Sequence, residues 1–462
     1  MKASTGVPTG GIMIVNGLSG RAEISSSLAP HIRPLCIFLL CICLNALAPG
    51  PAMAEDEIKP GETLDLDRCI AIALKKHPSI LGAQGSLEAS QSRVSQARSG
   101  YYPQLGLSGG YSRNHTEGAS SSLGSGKYSY DEYSSSFNLS QNICDFGKTS
   151  ASVDVNALSA DASRFDLEDT SSQVIYSVKQ AYFGVLQALQ NRQAYQETMK
   201  QYELHLEQAR RFYEVGIRPK IDVTKAEVDL SQARLNLLKA DNGMRVARIT
   251  LNNTMGMPEA PEYSLKEDTA VREYPIDLES ALKRGYEYRP DLASARYKRE
   301  AALRSVDLAR SGYYPELSGS AGYGWTGQDF PLNDRWTVGA SVNVPIFSGF
   351  LTRSQVSEAK ANLMSAQANE ESVRQSIRSD IEQSYTNLIQ AREGIDLADL
   401  AVKQAKENRE LAQGRYAAGV GNAIEVTDAL VSEISARTSY DNALYAYRLA
   451  IAQLERSMGV SR

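Results

Sequence analysis

Beyond its N-terminal leader the sequence holds no apolar run of about 18 residues, which excludes a membrane-spanning helix there. Histidine is scarce. His77, His115 and His205 follow no metal-ligand or triad spacing, so no enzyme, metal or cofactor is expected. A formal net charge of −5 lacks the basic excess that a nucleic-acid partner demands. Of five cysteines, Cys36, Cys41 and Cys43 fall in the leader, leaving only Cys69 and Cys144, which are expected to be unpaired. Proline is missing from Lys148 to Tyr213, where Gly184 is the single glycine. Such a gap fits one very long helix.

The leader itself reads as a secretory signal peptide over residues 1–54. Arg33 precedes an apolar core from Leu35 to Leu47, and Ala52-Met53-Ala54 forms a small-residue cleavage site. The stretch ahead of the core is long, which points to Met13 as the true start. Bulky Leu40 and Ile42 ahead of Cys41 and Cys43 argue against a lipid anchor.

What the chain does contain, it contains twice. "ARSGYYPQL", Ala97 to Leu105, returns as "ARSGYYPEL", Ala309 to Leu317. "KKHPSI" is answered by "EYRPDL", "NICDFGKTSASV" by "PIFSGFLTRSQV", and "YEVGIRPKIDVTKA" by "YAAGVGNAIEVTDA". Matched positions lie 212 apart up to Leu105 and 203 apart from Ile143 onward, so a surface loop is expected to be nine residues longer in the first copy. The chain therefore divides into two structural repeats, 55–275 and 276–462.

Each repeat begins with helical pattern, Leu66 to Arg98 and Leu278 to Arg310. Gly100 then stops the first helix, and Pro103 forces Tyr102 into extended backbone. The strands that follow alternate with period two. Leu105, Leu107 and Tyr111 oppose Gly106, Ser108 and Ser112, and Trp336, Val338 and Val342 oppose Thr337, Gly339 and Ser341. Four such strands, entered or left through Tyr or Trp, fit a membrane β-barrel better than a half-buried soluble sheet. "GSGK" at Gly124 to Lys127 is no phosphate loop: Ser121 replaces its first glycine, Tyr128 replaces the magnesium-binding hydroxyl, and no helix follows.

The remainder is helix. After the turn "VGIRPKID" a return helix carries Ala226, Leu230, Ala233, Leu237, Ala240, Met244, Ala247 and Leu251, a spacing of four and three that calls for left-handed coiled-coil packing. The return helix is half as long as the outgoing one. The helix from Leu278 is expected to continue it end to end, with the helix from Leu66 doing the same for the second copy.

Four strands cannot seal themselves, because an open edge in lipid leaves backbone groups unpaired at several kcal/mol each. The chain must oligomerise; two copies give eight strands and three give twelve. In its doubled strand–strand–long-helix order, its Pro-containing "HPSI" and "RPDL" phrases and its "YxxG" tips, the mature chain resembles the TolC-like outer membrane efflux family. The resemblance implies a mostly α protein with a transmembrane β portion, in which long coiled-coil hairpins form a periplasmic α-barrel below a shared twelve-stranded barrel. It further implies a homotrimer in outer membrane lipid, serving as exit duct for a periplasmic adaptor and an inner-membrane pump in tripartite efflux or type I secretion. A coiled-coil surface protein of adhesin type with a barrel anchor is the alternative.

The hairpin tips hold the candidate site. Glu425 and Asp428 are spaced i, i+3 and share one helix face, so symmetry would repeat them as carboxylate rings at a pore mouth. An acid in a first helical turn is also an ordinary dipole partner. The resemblance assigns Glu425 and Asp428 to the constriction and Asp222, Tyr416, Tyr213 and Arg218 to the links that hold a periplasmic gate closed. Gly421 stands where the best-known member of the family has an arginine link, and Arg218 lies at the equivalent point of the other copy. Val215-Gly216-Ile217 and Ala418-Gly419-Val420 are the implied adaptor contacts.

Overall fold

The computed structural model describes residues 58–117, 127–267 and 273–460. The signal peptide and the "GSG" of Gly124 to Gly126 lie outside the described residues.

Elements follow in the order β1 (Thr63–Leu64), α1 (Leu66–Lys76), α2 (Pro78–Arg98), β2 (Gln104–Glu117), β3 (Lys127–Cys144), α3 (Lys148–Glu214) and α4 (Lys220–Thr254). Then come β4 (Ser264–Leu265), α5 (Leu278–Tyr288), α6 (Pro290–Ser311), β5 (Glu316–Gly327), β6 (Asn333–Asn343), α7 (Leu351–Ala417) and α8 (Ala423–Ser457). Helices α3 and α7 have 67 residues each, about 100 Å at ~1.5 Å per residue. Their return helices α4 and α8 have 35 each. No described helix is long and apolar enough to cross a membrane.

Four strands form one antiparallel sheet in the order β2-β3-β5-β6, while the short β1 and β4 pair in parallel elsewhere. Its register puts the alternating side chains where the sequence places them. Leu105 faces Leu139, Leu107 faces Phe137, Tyr111 faces Tyr133, and Tyr323 faces Trp336 on one side. On the other, the Ser108 and Ser136 hydroxyls lie 2.9 Å apart, as do those of Ser318 and Ser341. Leu105, Leu107, Tyr111, Trp336, Val338 and Val342 are all exposed, so nothing in the described chain covers the apolar side. The first hairpin is the longer one, but not through its loop alone. Its ladder runs on to Glu117 and Lys127, whereas the second ends at Thr326 and Asn333.

Two expectations need correction. The helices from Leu66 and from Leu278 are each broken in two, because the rings of Pro78 and Pro290 hold His77 and Arg289 in extended backbone. His77 caps α2 by accepting the Ser79 N–H on Nδ1 at 3.2 Å. Arg289 instead pairs with Asp291 at 2.6 Å and with Asp380 of α7 at 2.8 Å.

The end-to-end pairing also differs from the expected one. The C-terminal end of α4 abuts the α1–α2 break and that of α8 abuts the α5–α6 break, each within its own half of the chain. Glycines make this possible. A Cβ on Gly256 would sit 2.7 Å from the Lys76 carbonyl oxygen, and one on Gly459 would sit 2.6 Å from the Tyr288 carbonyl carbon. Both glycines also have positive φ, +72° and +74°, which disfavours any side chain.

Three apolar clusters anchor the helices. One packs α1, β1 and the end of α4, including buried Met255, against Val178, Tyr182 and Leu186 of α3. A second does the same for α5, α6 and the end of α8, with Met458 against Ile377 and Ile381 of α7. The third lies at the far end, where both long hairpins turn. Cys69, free and inside the first cluster, has its thiol pushed up to about 12 by burial and stays protonated.

Candidate functional site at the hairpin tips

Both tips are built alike. In the first, the Ile217 N–H donates to the Phe212 carbonyl at 2.9 Å after Gly216 takes φ +76°. In the second, the Val420 and Gly421 N–H groups donate to the Arg415 carbonyl at 3.1 and 2.9 Å after Gly419 takes φ +80°. These bonds satisfy carbonyls that the helix end leaves orphaned and reverse the chain tightly. Asn422 then caps α8, accepting the Glu425 N–H at 2.9 Å.

Tyr416 is the centre of the site. Its side chain is fully buried in the cluster that joins the two hairpins. The His205 and Phe212 rings of α3 lie 5.2 and 5.7 Å from it, centroid to centroid. Arg218 closes it from the side, its guanidinium 5.1 Å from the ring centroid. The same Arg218 donates through Nη2 to the Gly421 carbonyl of the second tip. Gly421 has to be glycine for this approach, since a Cβ would stand 2.9 Å from the Tyr416 nitrogen. The guanidinium that joins the two tips therefore comes from the first of them. Burial and nearby Asp222 push the Tyr416 phenol above its ordinary pKa, so it is un-ionised at any physiological pH. The hydroxyl has no hydrogen-bond partner among the described residues.

The other residues anticipated from the sequence divide into two groups. Asp222 is half-buried and faces Tyr416. Glu425 is half-buried and lies 3.4 Å from Arg415 Nε, in a pair open enough to water to be worth little. Asp428 is exposed. Tyr213 is exposed and stands apart from the Tyr416 cluster, as do Val215 and Ile217 on the first tip and Ala418 and Val420 on the second. Gly216 and Gly419 occupy the turns themselves.

Sequence reasoning missed the bridge between the hairpins. Thr427 of α8 donates to Asp229 of α4 at 2.9 Å, and Lys225 reaches the same carboxylate at 3.4 Å. It also missed His205, whose repeat partner is Asn408, so the internal duplication offered no signal.

The arrangement is a packed cluster of helix ends, with no metal-binding group of His, Cys, Asp or Glu among the described residues. Comparison with known proteins places it. The family model described as "Outer membrane efflux protein" matches residues 69–257 and 282–460. The chain belongs to that family.

This efflux protein is 25% identical over 406 residues to the outer membrane protein TolC of Vibrio cholerae, covering 84% of this chain and 89% of that protein. To the outer membrane efflux protein BepC of Brucella suis it is 23% identical over 359 residues, 74% of this chain and 75% of that protein. Among solved structures, the Campylobacter jejuni CmeC outer membrane channel superposes with a TM-score of 0.77 at 20% identity, over 89% of this chain and 91% of that one. The protein is an outer membrane efflux channel with a helical tunnel. An adhesin-type surface role is not favoured.

Proposed function

We propose that three copies of this efflux protein close one twelve-stranded barrel and continue it as a helical tunnel, forming the exit duct for an inner-membrane pump and its periplasmic adaptor. The observation that carries this reading is the four-stranded sheet whose edge strands β2 and β6 have no neighbour on their outer sides among the described residues. In lipid such edges must pair, and a second copy supplies β6 for β2 with the apolar face outward. Residues 55–275 and 276–462 act as two structural repeats, so three chains present six similar hairpins around the tunnel. The serine-rich face lines the conduit. The channel transmits what the pump delivers, whether a small molecule or a type I secretion substrate. The exposed apolar tips, Val215-Gly216-Ile217 and Ala418-Gly419-Val420, are the surface offered to the adaptor.

At the closed tips the carboxylates of Glu425 and Asp428 ring the pore mouth, while Tyr416, Arg218 and Asp222, with Tyr213 at the rim, hold the hairpins in. Arg415 offsets part of the Glu425 charge, so Asp428 carries most of the attraction for cations. In single-channel recordings, Asp428→Asn is expected to raise the trivalent cation concentration for half-block by about tenfold, and Glu425→Gln by less. Unchanged block in the double variant Glu425→Ala/Asp428→Ala would remove the rings from the account.

A further inference from the structure

His205 sits in the last three turns of α3, close to the tip, and is only 4% exposed. Burial at this depth favours the neutral imidazole, since desolvation penalises the charged ring more than the neutral one. Its ring lies against Tyr416 of the other hairpin, so it belongs to the surface along which the two hairpins meet.

We propose that His205 is a proton-sensitive latch of the tunnel end: neutral, it lets the hairpins pack around Tyr416, and protonated, it drives them apart. This rests on the gate reading of the tips given above.

Every element around the ring contributes to the balance. Helix α4 turns Asp229, Asp222 and Lys225 toward it. The first two favour the imidazolium and Lys225 opposes it. Asp229 is already engaged by Lys225 and by Thr427 of α8, which weakens its help. Helix α7 offers only the neutral Tyr416 phenol, behind which Arg218 brings a further positive charge. Helix α8 adds Asp428, which faces Tyr202 one turn up α3 and is itself exposed to solvent. Desolvation wins over these carboxylates, and the packed arrangement holds the His205 pKa below its ordinary value.

The packed state therefore binds a proton more weakly than a hydrated imidazole does. Packing is fully favoured above the ordinary histidine pKa of ~6.5 and loses ground as the pH falls through it. If separation hydrates the ring, the ratio of open to closed channels changes by up to about tenfold per subunit between pH 7.5 and 5.5.

The test is bilayer recording of the whole channel, with pH varied on the tunnel side, for wild type, His205→Gln and His205→Phe. The wild-type open-to-closed ratio is expected to rise several-fold on acidification, and both variants are expected to lose that rise while still conducting. A wild-type ratio that does not change with pH, or one whose rise persists in both variants, would overturn the latch. Hydrogen–deuterium exchange at the His205 ring carbon in the wild-type channel, followed by mass spectrometry, needs no variant. It should titrate below the ordinary range in the closed channel; an ordinary histidine value would contradict the proposal. Failure to form conducting channels at all would count against the duct reading instead, so the two failures are distinguishable.

Discussion

Tyr416→Ala is expected to give a channel that assembles normally but no longer closes. Removing a fully buried aromatic ring costs about 3–5 kcal/mol when the site cannot collapse, and here the ring is held by His205 and Phe212 of one hairpin and Arg218 of the turn. If those contacts exist only in the closed arrangement, their loss shifts the open-to-closed ratio by about a hundredfold or more. Assembly is spared because the two clusters at the other end of the helices do not include Tyr416. Tyr416→Phe is the informative companion. The hydroxyl is buried without a partner, so its removal should be neutral or slightly stabilising, and the channel should stay closed. Equal leakiness of the two variants, or wild-type closure in Tyr416→Ala, would show that the ring is not what holds the tips together.

Gly459→Ala is expected to act on folding instead. The left-handed backbone alone costs an alanine about 1–2 kcal/mol. The new methyl group would also meet backbone atoms of Tyr288 and Arg289 at 2.6 and 2.7 Å, and neither can swing aside as a flexible side chain would. Together these should exceed about 3 kcal/mol, seen as a sharp fall in folded yield and in the thermal unfolding temperature. Gly256→Ala should behave alike, against Lys76 and His77. Gly85→Ala is the control. It lies inside α2 with open space around its Cβ position, where alanine should be neutral or stabilising by roughly 0.5–1 kcal/mol. Comparable losses at Gly85 and Gly459 would contradict the close docking of α8 on the α5–α6 break.

Much of this architecture was legible in the sequence because its signals are local or duplicated. The proline-free stretch after Lys148 becomes a helix ending at Glu214, one residue past the expected end. Alternation in Trp336-Thr337-Val338 becomes a face of the sheet because a strand has period two and nothing else satisfies it. The break at His77 was equally written in Pro78, but the apolar pattern runs through it and outweighed it. Docking of Gly256 on Lys76 was not legible, since it depends on backbone atoms about 180 residues apart rather than on any side-chain pattern. The tip site shows the same limit. Tyr416, Gly419 and Glu425 announce themselves by repetition, whereas His205 and Asp229 answer to Asn408 and Ser432 in the other copy and acquire meaning only when two hairpins meet.

The account turns on a sheet of four strands with two open edges, and the particle mass tests it most directly. Native mass spectrometry of the detergent-extracted protein should find three chains, and conductance should appear only with that species. A lone chain that conducts, or a stable water-soluble monomer with its apolar strand face buried, would contradict it.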